Sequence, residues 1–304
     1  MTASAVVSGT GEAKLRGRRF APTGVFVELP SVGIHFYRQH LNPGKPTLLL
    51  AHGMVVSSGL NWYRLFPALK PHFNIVAPDV RGHGRSWPGN ERFSFERAAD
   101  DLAALLSELQ TGPVIAVGYS MGGAIVQHLW RRHRDKVAGL VLAASNYKAR
   151  VARHEQLVVL PFFAGVVGLG QVAELFGHLP RGLLKRFLPK LSDSLHEDEV
   201  RWALDEMRRT RFKTIAETGR EMALHDASGW LHEIDVPTTV LVTAKDRAIP
   251  PAHQREMAEL VHGAQIISHD DGHLACMDPA FGEVLAGACM TVLERCPQAG
   301  RWED

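Results

Sequence analysis

Val114-Ile-Ala-Val-Gly-Tyr-Ser-Met-Gly-Gly-Ala-Ile-Val-Gln-His-Leu-Trp130 changes its hydrophobic period in mid-course. Pro113–Gly118 is a short apolar run, which predicts a buried strand. Over Ala124–Arg132, residues Ile125, Val126, Leu129 and Trp130 fall on one face, which predicts a helix. Gly118-Tyr-Ser-Met-Gly122 bridges the two, a G-x-S-x-G sequence at a strand-to-helix turn. A sharp turn there holds the Ser120 hydroxyl at the sheet edge, and a glycine two positions to either side lets neighbouring backbone approach. The following helix aims its dipole and first N–H groups at whatever reacts with that hydroxyl. The alternative is a glycine-rich turn with an idle serine.

The same alternation extends outward. Gly24–Pro30 and Val32–His40 predict two strands joined by a tight turn, hence antiparallel. Thr47–Ala51 and Asn74–Pro78 predict buried strands, with a helix between them near Trp62–Leu69. A helix over Phe95–Leu109 and strands over Pro113–Gly118 and Val137–Ala144 follow. From Tyr147 to about Leu231 only helical patterns occur. Thr238–Thr243, a helix over Ala252–Val261, Gln265–Ser268 and a final helix bearing Phe281, Leu285 and Val292 complete the chain. The fold class is α/β: a mostly parallel central sheet flanked by helices, with an all-helical cap inserted after the sixth strand. The boundaries are 1–23 as an N-terminal extension, 24–146 and 232–304 as the core, and 147–231 as the cap. In such sheets ligands bind at the carboxyl ends of the strands.

A serine hydroxyl needs a base to take its proton, and the base needs an orienting acid. Among 16 histidines, His273 in Gly272-His273 is preferred, because it lies in the loop between the last strand and the last helix. His269 ends that strand, His225 and His232 border the insertion, and His52 is assigned to orienting the early His-Gly loop. Asp246 follows the strand Thr238–Thr243 and is the acid of choice, with ion pairing to neighbouring Lys245 or Arg247 as its alternative. Asp270 and Asp271 are too close to His273 in sequence to be obvious orienters. Two backbone N–H groups complete the site as an oxyanion hole, those of Met121 and of Met54 in Ala51-His-Gly-Met-Val55.

These motifs resemble the capped serine hydrolases of the α/β-hydrolase superfamily, esterase and lipase branch. The resemblance runs from Gly24 to Cys296. It rests on His52-Gly53, Asp79-Val-Arg-Gly-His-Gly-Arg-Ser86, Gly118-x-Ser120-x-Gly122, Asp246 and Gly272-His273, in the superfamily's order. It implies a structural role for His83. A serine rather than an aspartate nucleophile sets the chain apart from similar dehalogenases and epoxide hydrolases. Some relatives place the acid after the preceding strand, but Ser145-Asn146 offers no carboxylate there. The implied activity is hydrolysis of carboxylic esters through an acyl-enzyme. The rivals are the same triad acting on thioester, amide or carbon–carbon bonds, a ligand receptor with a slow triad, and an idle interaction protein.

Charge and composition narrow the partners. With 34 basic and 32 acidic residues the net charge is +2, so a nucleic-acid partner recruited by a basic field is not expected. At 45% hydrophobic and 22% charged the chain is globular. Cys276, Cys289 and Cys296 form no C-x-x-C, so no disulfide framework or zinc site is encoded, and a cytoplasmic location is the expectation. Gly165, Gly168 and Gly170 match no dinucleotide fingerprint and no phosphate loop occurs, so no cofactor is expected. His269 and His273 lack a second ligand cluster, so no metal is expected either.

The cap divides in two. Lys148–Leu191 holds seven basic and two acidic residues, whereas Ser192–Leu231 holds six basic and nine acidic. The first half carries the apolar run Leu157–Gly170, and Arg181, Lys185, Arg186 and Lys190 interleaved with Leu183, Leu184, Phe187, Leu188 and Leu191. That interleaving suits either a peripheral contact with an anionic membrane or, the favoured reading, a helix packed on the core with solvated cations. Either way an apolar ester of medium-to-long acyl chain is the expected substrate. The sequence leaves the oligomeric state open.

Overall fold

The computed structural model describes residues 21–30, 32–149 and 197–296. Strands β1 (Gly24–Leu29), β2 (Gly33–His40), β3 (Thr47–Ala51), β4 (Asn74–Pro78), β5 (Val114–Tyr119), β6 (Val137–Ala143), β7 (Thr238–Thr243) and β8 (Gln265–His269) form one sheet in the order β1-β2-β4-β3-β5-β6-β7-β8. β2 pairs antiparallel with β1 and β4, and every other neighbour is parallel. β3, β5, β6 and β7 are buried along their whole length, as parallel strands covered on both faces must be.

Alternation along each strand divides the core into two layers. Leu49 and Ala51 of β3 face helices α3 (Phe95–Glu108) and α4 (Met121–Arg132), where Leu102, Ile125 and Trp130 are buried. Leu48 and Leu50 face the other way, onto Trp62, Phe66 and Phe281. The helix expected near Trp62–Leu69 is two short ones, α1 (Ser58–Trp62) and α2 (Phe66–Leu69). Ser57 caps the first by accepting from the Leu60 N–H, and Pro67 sits at the start of the second. α4 begins at Met121, three residues before the apolar periodicity does, because glycines occupy its first turn.

Between β6 and β7 the described residues form α5 (Glu197–Arg208) and α6 (Phe212–Leu224). The chain's departure and return are tied together, since the Ala149 N–H donates to His225 O at 2.9 Å and the Ala227 N–H to Tyr147 O at 2.7 Å. The basic apolar segment with Arg181, Lys185, Arg186 and Lys190, like most of the N-terminal extension, lies outside the described residues. Among the described residues of the acidic half, one face of α5 docks on the core. Glu199, Trp202, Ala203 and Glu206 recur on one face of α5 and are all buried. Glu199 accepts from the Tyr63 hydroxyl at 2.6 Å and from Arg64 at 2.8 Å, while Trp202 packs edge-on to Tyr63 at 5.0 Å. α7 (Pro251–Leu260) and α8 (Pro279–Glu294) close the core. Among the described residues no helix is long and apolar enough to cross a membrane.

Candidate active site

Ser120 follows β5 and caps α4 with φ 53° and ψ −118°, a conformation that a side-chain-bearing residue adopts only where its surroundings enforce it. The enforcement is visible in its main chain. The Ser120 N–H donates to Ala143 O at 2.9 Å, and its carbonyl accepts from the Gly123 N–H at 2.9 Å and from Ser145 Oγ at 2.8 Å. The glycines are steric requirements. A Cβ on Gly118 would lie 2.5 Å from the Gly122 and Gly123 backbone, and one on Gly122 would collide with Ala51 O and His52 O. α4 can therefore press onto β3, with its first N–H groups unpartnered by the helix itself.

The structure brings the three candidate side chains together. Ser120 Oγ lies 2.9 Å from His273 Nε2, and His273 Nδ1 lies 2.8 Å from Asp246 Oδ2. Asp246 is almost wholly buried at the end of β7. Its Oδ2 also accepts from Thr243 Oγ1 at 2.8 Å, and its Oδ1 accepts from the N–H groups of Ala248 at 2.8 Å and Ile249 at 2.9 Å. Burial by itself raises this carboxyl's pKa, but His273, the Ile249 N–H and the Thr243 hydroxyl outweigh it and hold the group below the usual carboxylate range. A carboxylate in that position fixes the proton on His273 Nδ1, leaving Nε2 free to accept from Ser120.

Lys245 pairs with Asp270 at 2.7 Å rather than with Asp246, and Asp271 Oδ1 accepts from the Gly272 N–H. His52 and His83 stay out of the triad. His52 Nε2 accepts from the Val80 N–H at 2.9 Å and its Nδ1 meets Gly53 O at 2.7 Å, so the ring spans the loop it belongs to. Burial lowers its pKa to about 4 and that of His83 to about 3, so both are neutral. His225 is likewise buried, and burial lowers its pKa to about 4.

The loop after β3 runs against the serine. A Cβ on Gly53 would lie 3.6 Å from Ser120 Cβ, and the Gly53 N–H donates to Asn61 Oδ1 at 3.0 Å. Met54 follows at once, and then Val55 with φ 72°. Met121 follows Ser120 at the start of α4 and Met54 follows Gly53 in the loop that runs against the serine, so their N–H groups are the candidates for an oxyanion hole. His269, Asp271 and Asp278 bring one ligating atom each within 4.8 Å of one another, but Asp278 already caps α8 and Asp271 already accepts from Gly272.

Several supporting residues escape sequence reasoning. Ser145 holds the Ser120 carbonyl, and the Tyr119 hydroxyl donates to His273 O at 2.8 Å. Gln254 Nε2 reaches Asp246 Oδ2 at 3.3 Å. Only their positions at strand ends or in the following helix could have signalled them.

Residues 46–280 match the model of the alpha/beta hydrolase fold family. The chain belongs to that family. Its α/β-hydrolase relatives include Lipase LipV of Mycobacterium tuberculosis, 40% identical over 109 residues, which are 36% of this chain and 41% of that one. The chain thus spans well under half of that relative. Poly(3-hydroxyalkanoate) depolymerase of Ectopseudomonas oleovorans is 29% identical over 280 residues, covering 88% of this chain and 92% of the other. The solved structure of a thermophilic esterase from Thermogutta terrifontis superposes with a TM-score of 0.68 at 25% identity, over 90% of this chain and 99% of that one. The chain is an α/β-fold hydrolase with lipases and esterases among its relatives.

Proposed function

We propose that the protein hydrolyses carboxylic esters through an acyl-enzyme on Ser120. The observation that carries this is the hydrogen-bonded run from Ser120 Oγ through His273 to Asp246, at 2.9 and 2.8 Å, on a serine held at positive φ. In this mechanism His273 Nε2 takes the Ser120 proton as Oγ attacks the ester carbonyl. The N–H groups of Met54 and Met121 receive the charge that develops on oxygen. His273, now cationic beside the Asp246 carboxylate, gives its proton to the departing alcohol. Water enters by the same route and releases the acid.

The substrate class proposed is an ester with an apolar acyl chain. Two features support it. Met54, Val55, Met207 and Ile215 form an apolar cluster beside the oxyanion loop, and the sequence of the insertion carries the run Leu157–Gly170. The name of the lipase relative agrees with it, and that of the esterase agrees with the ester bond. The test is a panel of chromogenic esters, thioesters and amides of increasing acyl length, run with and without anionic vesicles. Octanoyl esters should be turned over faster than acetyl esters. The reverse order overturns the apolar acyl preference, and faster thioester or amide turnover changes the bond. Acceleration by vesicles would support a membrane contact of the basic insertion segment.

A further inference from the structure

The loop that offers the Met54 N–H does not hold its own shape. Val55 is β-branched and sits at φ 72°, a conformation that costs free energy and persists only if its neighbours impose it. The neighbours are in the insertion. Thr210, fully buried between α5 and α6, donates from Oγ1 to Val55 O at 3.3 Å. The Val55 side chain packs on Ile215 of α6, with Met54 and Met207 against them.

At the far end of the same loop, Ser57 donates its hydroxyl to Glu206 Oε2 at 2.5 Å while accepting from the Leu60 N–H as the cap of α1. Glu206 is nearly inaccessible at 1% exposure and is gripped by Arg85, whose Nη1 and Nη2 lie 2.9 and 2.5 Å from its two oxygens. Arg38 Nη2 lies 3.8 Å away. Arg85 in turn donates its N–H to Asp79 Oδ2, and Asp79 Oδ1 accepts from the N–H and hydroxyl of Ser58. A buried carboxylate is a poor way merely to dock a helix, since apolar residues of similar volume would do it as well or better. What the ion pair supplies is one defined seat, and that seat is Ser57.

We infer that Glu206 and Thr210 are positioning residues for acyl transfer: they clamp the 54–57 loop from the insertion and so set the oxyanion-binding geometry of the Met54 N–H. The insertion then acts on the chemistry through two named hydrogen bonds, besides covering the sheet. This inference rests on the ester-hydrolase reading above.

The test compares wild type with Thr210→Val, Thr210→Ser and Glu206→Gln in the full chain. It measures kcat and KM on one chromogenic ester, inhibition by a trifluoromethyl ketone that carries an oxyanion when bound, and the melting temperature. Displacing a reacting group by about an ångström costs on the order of a hundredfold, so Thr210→Val should lower kcat roughly tenfold to a hundredfold. KM should be unchanged, the ketone should bind more weakly by the same factor as kcat falls, and Thr210→Ser should restore both. Glu206→Gln should move kcat and the ketone in the same direction. Should that variant fail to fold, the Thr210 pair decides. Wild-type kcat and ketone affinity in Thr210→Val overturn the inference. So does a loss that follows melting temperature and is not restored by Thr210→Ser. A wild-type chain that neither cleaves esters nor is labelled by a fluorophosphonate overturns the ester-hydrolase reading, and the clamp's catalytic role with it.

Discussion

Asp246 and His273 meet at 2.8 Å with every oxygen lone pair of the carboxylate directed by the fold. Oδ1 is taken by the Ala248 and Ile249 N–H groups and Oδ2 by Thr243, so the carboxylate cannot rotate away from the imidazole. The ring is fixed from its other side as well, because the Tyr119 hydroxyl holds the His273 carbonyl. The carboxylate and the imidazole are thus each positioned by groups belonging to different strand ends, independently of the Ser120 side chain.

Asp246→Asn follows directly from this geometry. Its Oδ1 can still accept from Ala248 and Ile249, so the chain should fold, with a loss of about 1.5–3 kcal/mol for the charged hydrogen bonds. Its amide would present N–H to His273 Nδ1 and force the proton onto Nε2, the wrong tautomer for accepting from Ser120. kcat should fall on the order of 10³–10⁴. Near-normal turnover in a folded variant would remove Asp246 from the mechanism.

Ser120→Ala should abolish ester cleavage and fluorophosphonate labelling. Ser120→Gly should do the same and yet be the more stable of the two. Alanine keeps the Cβ at φ 53°, whereas glycine adopts that conformation freely. Thermal or denaturant unfolding should place Ser120→Gly above Ser120→Ala by about 1 kcal/mol. Equal stabilities would mean that the turn is not strained.

Gly122→Ala tests the close approach of α4 to β3. The added Cβ would strike Ala51 O and lie 2.9 Å from His52 O, and both are backbone atoms that cannot rotate aside. Overpacking of this kind costs about 1–3 kcal/mol or more, and here it pushes the loop bearing Met54 away from Ser120. Melting temperature and kcat should fall together, and loss of neither would show that the helix can shift freely.

What was legible in the sequence was local. Ser120 is marked by glycines within two residues of it, and Asp246 and His273 by their places just after strands, so each could be found without knowing any distant contact. The helices around Trp62 were harder, because a new helix starts at Phe66-Pro67 within an apolar pattern that reads as one element. Glu206 was illegible. It is one of nine acidic residues in Ser192–Leu231, and its partners Ser57 and Arg85 are 149 and 121 residues away in the chain. Burial of such a carboxylate is decided wholly by which arginines the tertiary fold brings to it.

His52 and His83 give the fold a pH dependence whose sign is fixed by their burial. Their rings lie edge to face at 5.5 Å, both fully inaccessible, and burial holds them at about 4 and about 3, with the proximity of His52 lowering His83 further. The Gly53 and Arg81 carbonyls, and for His83 the Asp79 carboxyl, offset this only in part. In the unfolded chain each titrates near 6.5. As the pH falls below that value the unfolded chain takes up protons that the folded one refuses. Stability is therefore greatest above about 6.5 and falls until the folded-state values are reached. The loss should be about 2 kcal/mol per histidine by pH 5. Guanidinium unfolding at pH 7, 6 and 5 should give steadily lower midpoints. The Val80 N–H pointing at His52 Nε2 keeps that ring neutral in the folded protein. Midpoints that do not move between pH 7 and pH 5 would overturn the prediction.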